Sequence, residues 1–196
     1  MNDYYFTGEP ASASRPQEAQ FVYGGHTLYF TTDSGVFSKG ELDKGTATLL
    51  CALPPLSGDV LDMGCGWGAM GIAVAKACPD ARVTMADVNR RAIELARDNA
   101  QRNSADVTVL ESDGFSGLSG SLFDSILSNP PIRAGKQVIY AIFREAAAHL
   151  REGGCMYLVI RKQQGAPSAL TFLRGIYADV SVIEKSGGFW VLRAAK

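Results

Sequence analysis

Histidine, paired cysteine and long apolar runs are all scarce in this 196-residue chain. The histidines are His26 and His149, and the four cysteines, Cys51, Cys65, Cys78 and Cys155, contain no C-x-x-C pair. No familiar zinc spacing can be assembled from these, so no metal is expected. Scattered thiols of this kind suit a reducing compartment better than a disulfide framework. No stretch of about 18 uncharged apolar residues occurs, which argues against a membrane span. The N-terminus carries Asp3 and Glu9 and no apolar segment, so it does not read as a signal peptide. The expectation is a cytoplasmic protein with no metal and no membrane partner. Neither a Ser/His/Asp motif nor a Walker loop is present, which removes two common hydrolase chemistries.

Net charge is also low, at −1, but it is unevenly spread. Residues 1–131 hold 9 Lys+Arg against 16 Asp+Glu, whereas residues 132–196 hold 10 against 4. A basic C-terminal third is compatible with a polyanion docking on one side.

What the chain does have is an ordinary globular composition, 46% hydrophobic and 20% charged, over a length suited to one domain. Residues 1–20, with Glu9-Pro10-Ala11-Ser12-Ala13-Ser14-Arg15-Pro16, read as an irregular arm. Residues 21–57 follow as a hairpin around Gly24-Gly25 (Phe21–Tyr23 with Thr27–Phe30), a loop over Thr32–Gly40 and a helix over Leu42–Leu53 ended by Pro54-Pro55.

From residue 58 to 196 strands alternate with helices. Strands are expected at Val60–Met63, Arg82–Ala86, Val107–Leu110, Phe123–Ser128 and Met156–Ile160. Helices are expected at Ala69–Ala77, Arg90–Gln101 (capped by Asp87 or Asn89), Lys136–Leu150 and Ser168–Tyr177. A final hairpin pairs Val180–Ile183 with Phe189–Leu192. On the third of these helices Val138, Ile139, Ile142, Phe143, Ala146 and Leu150 share one apolar face. Such alternation predicts an α/β fold: a doubly wound, seven-stranded, mostly parallel sheet with a C-terminal antiparallel hairpin, preceded by the N-terminal hairpin. Ligands of such sheets bind beyond the carboxyl ends of the strands.

Two motifs fall at those ends. Asp62-Met63-Gly64-Cys65-Gly66-Trp67-Gly68 follows the first sheet strand. Glycines there let the backbone turn sharply and bring its N–H groups against a ligand. Gly64-x-Gly66-x-x-Ala69 with Asp87 downstream also satisfies the dinucleotide fingerprint. Asp62, however, would repel a pyrophosphate and welcome an ammonium, and Asp113 after the third strand can accept from an adenine amino group. A cationic, adenosyl-bearing ligand is the better fit.

The second motif, Asn129-Pro130-Pro131-Ile132, follows the fourth strand. Two prolines fix φ and remove two donors, leaving carbonyls free to accept, and Asn129 adds a side-chain carbonyl. Acceptors converging there suit an aryl amine, whose lone pair must be localised and aimed before it can attack. Carbon-5 pyrimidine methylation is disfavoured because no cysteine lies near the fourth strand.

These stretches together resemble the class I S-adenosylmethionine-dependent methyltransferases over about residues 58–196. The resemblance implies a Rossmann-like methyltransferase fold with S-adenosylmethionine as cofactor. It assigns Asp62, Gly64, Cys65, Gly66 and Gly68 to the methionine end, Asp87 and Val88 to the ribose, and Asp113 and Gly114 to the adenine. Asn129 lies between cofactor and substrate. Asn129, Pro130 and Pro131 resemble the fourth motif of amino-methyltransferases, in which the Asn carbonyl and the next backbone carbonyl bind the target amine. Adenine and glutamine members carry an aromatic where this chain has Ile132.

Extending back to about Phe21, Ser34-Gly35-Val36-Phe37-Ser38-Lys39-Gly40 and Leu42-Asp43-Lys44-Gly45-Thr46 resemble the small-domain methyltransferases related to 16S ribosomal RNA guanine-N2 enzymes. That narrower resemblance implies a guanine N2 in ribosomal RNA or the small subunit as target. Phe37 and Ile132 would face the base, and Lys39, Arg133 and Lys136 nearby phosphates. The rival expectations are an N-methyltransferase for protein glutamine or a small molecule, a nicotinamide oxidoreductase, and a non-catalytic cofactor-binding module that serves RNA or assembly.

Overall fold

The computed structural model describes residues 13–38 and 40–196. An antiparallel hairpin, β1 (Gln17–Tyr23) and β2 (His26–Thr32), precedes helix α1 (Lys44–Ala52). Then come β3 (Gly58–Met63), α2 (Ala69–Ala77), β4 (Ala81–Asp87), α3 (Arg90–Arg102), β5 (Val107–Glu111) and β6 (Phe123–Ser128). The chain ends with α4 (Lys136–His149), β7 (Leu150–Arg161), α5 (Ala166–Arg174), β8 (Asp179–Ser186) and β9 (Phe189–Ala195).

Strands β3 to β9 form one sheet in the order β5-β4-β3-β6-β7-β9-β8. β3 to β7 are parallel, and β9 runs antiparallel to both β7 and β8. The chain winds outward from β3 to β5 and returns to place β6 against β3. That reversal opens a crevice beyond the carboxyl ends of β3 and β6, where ligands of such sheets bind. The two strands are registered there, with Met63 opposite Ser128 and the Ser128 hydroxyl donating to the Met63 carbonyl at 3.1 Å.

Both faces of the sheet are covered, so its central strands are apolar on both sides. Val60 packs with α1, α2 and α3 residues such as Leu49, Ile72 and Ala96, whereas Leu61 and Met63 pack with Phe143, Ala146 and Leu173 of α4 and α5. Helix α1, which comes from the segment before the sheet, lies across β7, β8 and β9 and completes the first of these layers.

The hairpin is fixed by amide side chains rather than by a sheet. The Thr31 N–H donates to Asn99 Oδ1 at 2.7 Å, and Asn99 Nδ2 donates back to the Thr31 carbonyl at 2.9 Å. Asn103 repeats the exchange with Tyr29 at 2.9 and 2.7 Å. Helix α3 thus satisfies the outer edge of β2, a strand edge that would otherwise be unpaired. Phe30 packs edge-on to Trp67 at 4.9 Å beneath it.

Several boundaries differ from those expected. β1 begins at Gln17, so residues 17–20 are strand and not arm, and residues 1–12 of the expected arm lie outside the described residues. β7 begins at Leu150, directly after α4, and is longer than its apolar segment suggested. Helix α5 starts and stops early because Gly165 caps it in a left-handed conformation and Gly175 closes it. Tyr177, expected inside that helix, instead donates its hydroxyl to the Phe143 carbonyl at 2.8 Å.

Candidate active site

Strand β3 delivers the glycine loop to the crevice. Gly64 adopts φ +73°, and a Cβ built on it would meet open space, so backbone conformation and not crowding asks for glycine here. Four of the loop's donors are consumed inside the protein. The N–H groups of Gly64 and Cys65 donate to the Ala86 carbonyl at 2.8 and 3.1 Å, that of Gly68 to the Cys65 carbonyl at 3.0 Å, and that of Gly66 to Asp87 Oδ2 at 2.8 Å. The expectation that these amides face a ligand is therefore corrected. A loop whose donors are spent is poorly suited to a pyrophosphate, which needs them free.

Asp62 lies under the loop, with 0% exposure. Its Oδ2 accepts from the Gly71 N–H at 2.8 Å, and its Oδ1 has no partner. Burial, opposed by the Gly71 bond and reinforced by the nearby Asp87 charge, pushes its pKa up to about 7. Asp87 ends β4, accepts from Gly66 and from the Asn89 N–H at 2.9 Å, and is raised from its ordinary value, chiefly by burial. The Cys65 thiol is likewise pushed up by burial and donates to the Gly66 carbonyl at 3.6 Å, which makes it an inert wall.

The crevice opens into a cleft of about 920 Å³. Gly64, Gly66, Asp87, Val88, Asp113 and Gly114 line it from the β3–β5 side, and Asn129, Pro130, Pro131, Ile132 and Arg133 from the β6 side. Phe37 lines it from the upstream loop, which is latched down by three side chains. Trp67 Nε1 donates to the Phe37 and Ser38 carbonyls at 2.9 and 3.0 Å, Asn89 Nδ2 to the Gly35 carbonyl at 2.9 Å, and an Arg91 nitrogen to the Ser34 carbonyl at 2.7 Å. The loops after β3 and β6 thus share one cavity.

Four expected site residues do not line this cleft. Asp62 and Cys65 border a smaller cavity beside it, together with Gly64, Gly66 and Asn129. Gly68 caps α2 and packs against Ile72 and Ala96. Lys136 opens α4 as an exposed residue, away from the lining. Lys39 lies outside the described residues.

The methyltransferase small domain family profile matches residues 27–193. The chain belongs to that family. It is 42% identical to an uncharacterized protein, YbxB, of Bacillus subtilis over the full length of both. It is 38% identical to the ribosomal RNA small subunit methyltransferase C of Haemophilus influenzae over 162 residues, which are 80% of this chain and 48% of that one. Among solved structures, the 16S rRNA N2 methyltransferase RsmC of T. thermophilus, in complex with AdoMet and guanosine, superposes with a TM-score of 0.83 at 27% identity over 94% of this chain and 51% of its own. The chain thus spans about half the length of these ribosomal RNA enzymes.

The residues present fit S-adenosylmethionine, the cofactor expected from the sequence. Asp62 Oδ1 is a buried acceptor without a donor, Asp87 and Asp113 add two carboxylates to the cleft, and the glycine loop offers few free amides. Among the described residues no group of His, Cys, Asp or Glu is arranged to hold a metal ion, and no helix is long and apolar enough to cross a membrane.

The cleft also holds residues that sequence reasoning missed. Arg161, Gln164 and Phe189 line it from β7, the turn after it and β9, with the Arg161 guanidinium 4.8 Å over the Phe189 ring. Val138, expected on the apolar face of its helix, is 46% exposed, and both it and Ile142 line the cleft. That apolar face was too wide for the core alone, which was the available signal. Asp43 also lines the cleft; Asn129 Nδ2 donates to Asp43 Oδ2 at 2.9 Å and to Thr46 Oγ1 at 3.0 Å.

Proposed function

We propose that this enzyme transfers the methyl group of S-adenosylmethionine to an exocyclic amine, the N2 of a guanine in small-subunit ribosomal RNA. One observation carries the reading: the glycine loop and the Asn129-Pro130 acceptors line the same cleft. The target follows from the enzymes to which the chain is similar, one of them solved with guanosine.

When bound, the cofactor supplies an electrophilic methyl on a sulfonium. The residues of this chain do the rest by placement. The Gly64–Gly68 loop holds the methionine end, with Asp62 as acceptor for its ammonium. Asp87 accepts from the ribose hydroxyls, with Val88 beside it, and Asp113, beside Gly114, from the adenine amine. Asn129 Oδ1 and the Pro130 carbonyl accept the two N–H bonds of the target amine. An aryl amine is a poor nucleophile because its lone pair is delocalised into the ring. Holding both hydrogens frees that pair and aims it at the methyl, a placement worth several kcal/mol. Pro131 stiffens the loop that carries both acceptors. Phe37 and Ile132 face the base, and Arg133 meets phosphate at the mouth.

The experiment uses tritiated S-adenosylmethionine with 30S subunits from cells lacking the protein, followed by mass spectrometry of the labelled nucleoside. N2-methylguanosine in 16S RNA is the expected product. Label confined to protein release factors would transfer the reading to glutamine. Cofactor binding with no label in any ribosomal fraction would make the protein a binding module.

A further inference from the structure

We infer that Asp43 is a positioning residue for methyl transfer: it locks the Asn129 amide with its oxygen toward the substrate. The inference rests on the amine-methylation reading above and concerns a residue that touches Asn129 through its side chain.

An asparagine amide presents either an oxygen or an NH₂ to a cleft, and only the oxygen can hold an amine hydrogen. In this protein the amide nitrogen is turned to the start of α1. Asn129 Nδ2 donates to Asp43 Oδ2 at 2.9 Å and to Thr46 Oγ1 at 3.0 Å. A carboxylate has no proton to give, so the reversed amide would set oxygen against oxygen. Asp43 therefore determines which end of Asn129 the substrate meets.

The same oxygen, Oδ2, also accepts the Thr46 N–H at 3.0 Å and so caps α1. One atom ties the first turn of α1 to the loop after β6, 86 positions along the chain. The approach is close: a Cβ on Gly45 would lie 2.8 Å from Asp43 Oδ2 and 3.0 Å from the Phe189 ring. As the methyl moves, the target nitrogen gains positive charge. A carboxylate hydrogen-bonded to the far side of the Asn129 amide draws electron density toward Oδ1 and stabilises that charge through one intervening group.

The test is a double-mutant cycle with labelled S-adenosylmethionine and the 30S subunits described above. Asp43→Ser keeps a capping hydroxyl on α1 but is too short to reach Asn129. Its kcat is expected to fall by about tenfold to a hundredfold, with S-adenosylhomocysteine binding and circular dichroism unchanged. Asn129→Ala is expected to fall further, and the double variant no further than Asn129→Ala alone, because Asp43 acts through Asn129. Multiplicative losses in the double variant, or a normal kcat in Asp43→Ser, overturn the inference while leaving amine methylation standing. Near-normal turnover in Asn129→Ala overturns the amine reading itself, and the inference with it.

Discussion

The loops after β3 and β6 face each other across the same cleft, yet they are built on opposite plans. The β3 loop is largely self-sufficient: its amides are satisfied by Ala86, Asp87 and its own Cys65 carbonyl, all from the strand–helix units on either side. The β6 loop is dependent. Its key side chain takes its orientation from Asp43 and Thr46, at the start of a helix that precedes the whole sheet. A loop that closes on itself can be built by any copy of the fold. One that borrows a partner ties the reaction to a particular upstream segment.

Damage to the self-sufficient loop is expected to be global. Gly68 has φ +88°, and a Cβ there would lie 3.0 Å from Ile72 and 3.4 Å from Ala96. Gly68→Val combines left-handed strain with overpacking, and a loss of about 3 kcal/mol in urea unfolding is expected. Cofactor binding should fall with it. Unaltered stability would show that the loop tolerates rearrangement and would weaken the contrast.

Damage to the dependent loop should be local and kinetic. Thr46→Val keeps shape while deleting one acceptor for Asn129. The expected outcome is a roughly tenfold lower kcat, about 1.4 kcal/mol, with unchanged affinity for S-adenosylhomocysteine measured by calorimetry. A matching loss of cofactor affinity would mean that the two loops are coupled more tightly than their hydrogen bonds indicate.

A pH effect sharpens the β3 side. Unfolded, Asp62 gives up its proton near pH 3.8, whereas in the folded protein it holds it to about pH 7. Between those values the folded state binds more protons, so this group makes stability fall as pH rises and then level off above about 7. Asp62→Asn keeps an acceptor for the Gly71 N–H and should flatten that part of the profile in thermal melts. Saturating S-adenosylmethionine should flatten it in the wild type as well, since an ammonium beside Oδ1 favours the ionised form. A variant that retains the full pH slope would remove Asp62 as its source.

The contrast also explains what was readable in the sequence. The β3 loop, Asp87, Asp113 and Asn129-Pro130 were legible because each sits at or just beyond a strand end, and strand ends fix position. The sheet was legible because buried parallel strands are short apolar runs between amphipathic helices. Asp43 was legible only as one residue of the upstream stretch and its expected helix, since nothing local says that its carboxylate meets Asn129. Arg161, Gln164 and Phe189 were invisible for the same reason: β7 and β9 become neighbours of the cleft through sheet order, not through spacing. Val138 and Ile142 were seen only as part of one apolar helix face, and such a stripe looks alike whether it meets a core or a ligand.

The docking of α1 over β7, β8 and β9 has a practical corollary for anyone recombining these domains. A graft that takes only the sheet, from Gly58 onward, inherits the cofactor cradle but leaves the Asn129 amide free to spin. Such a chimera should retain S-adenosylmethionine while losing its grip on the acceptor. Moving the activity to a new scaffold therefore means transplanting the preamble of the chain together with the motif everyone would think to copy.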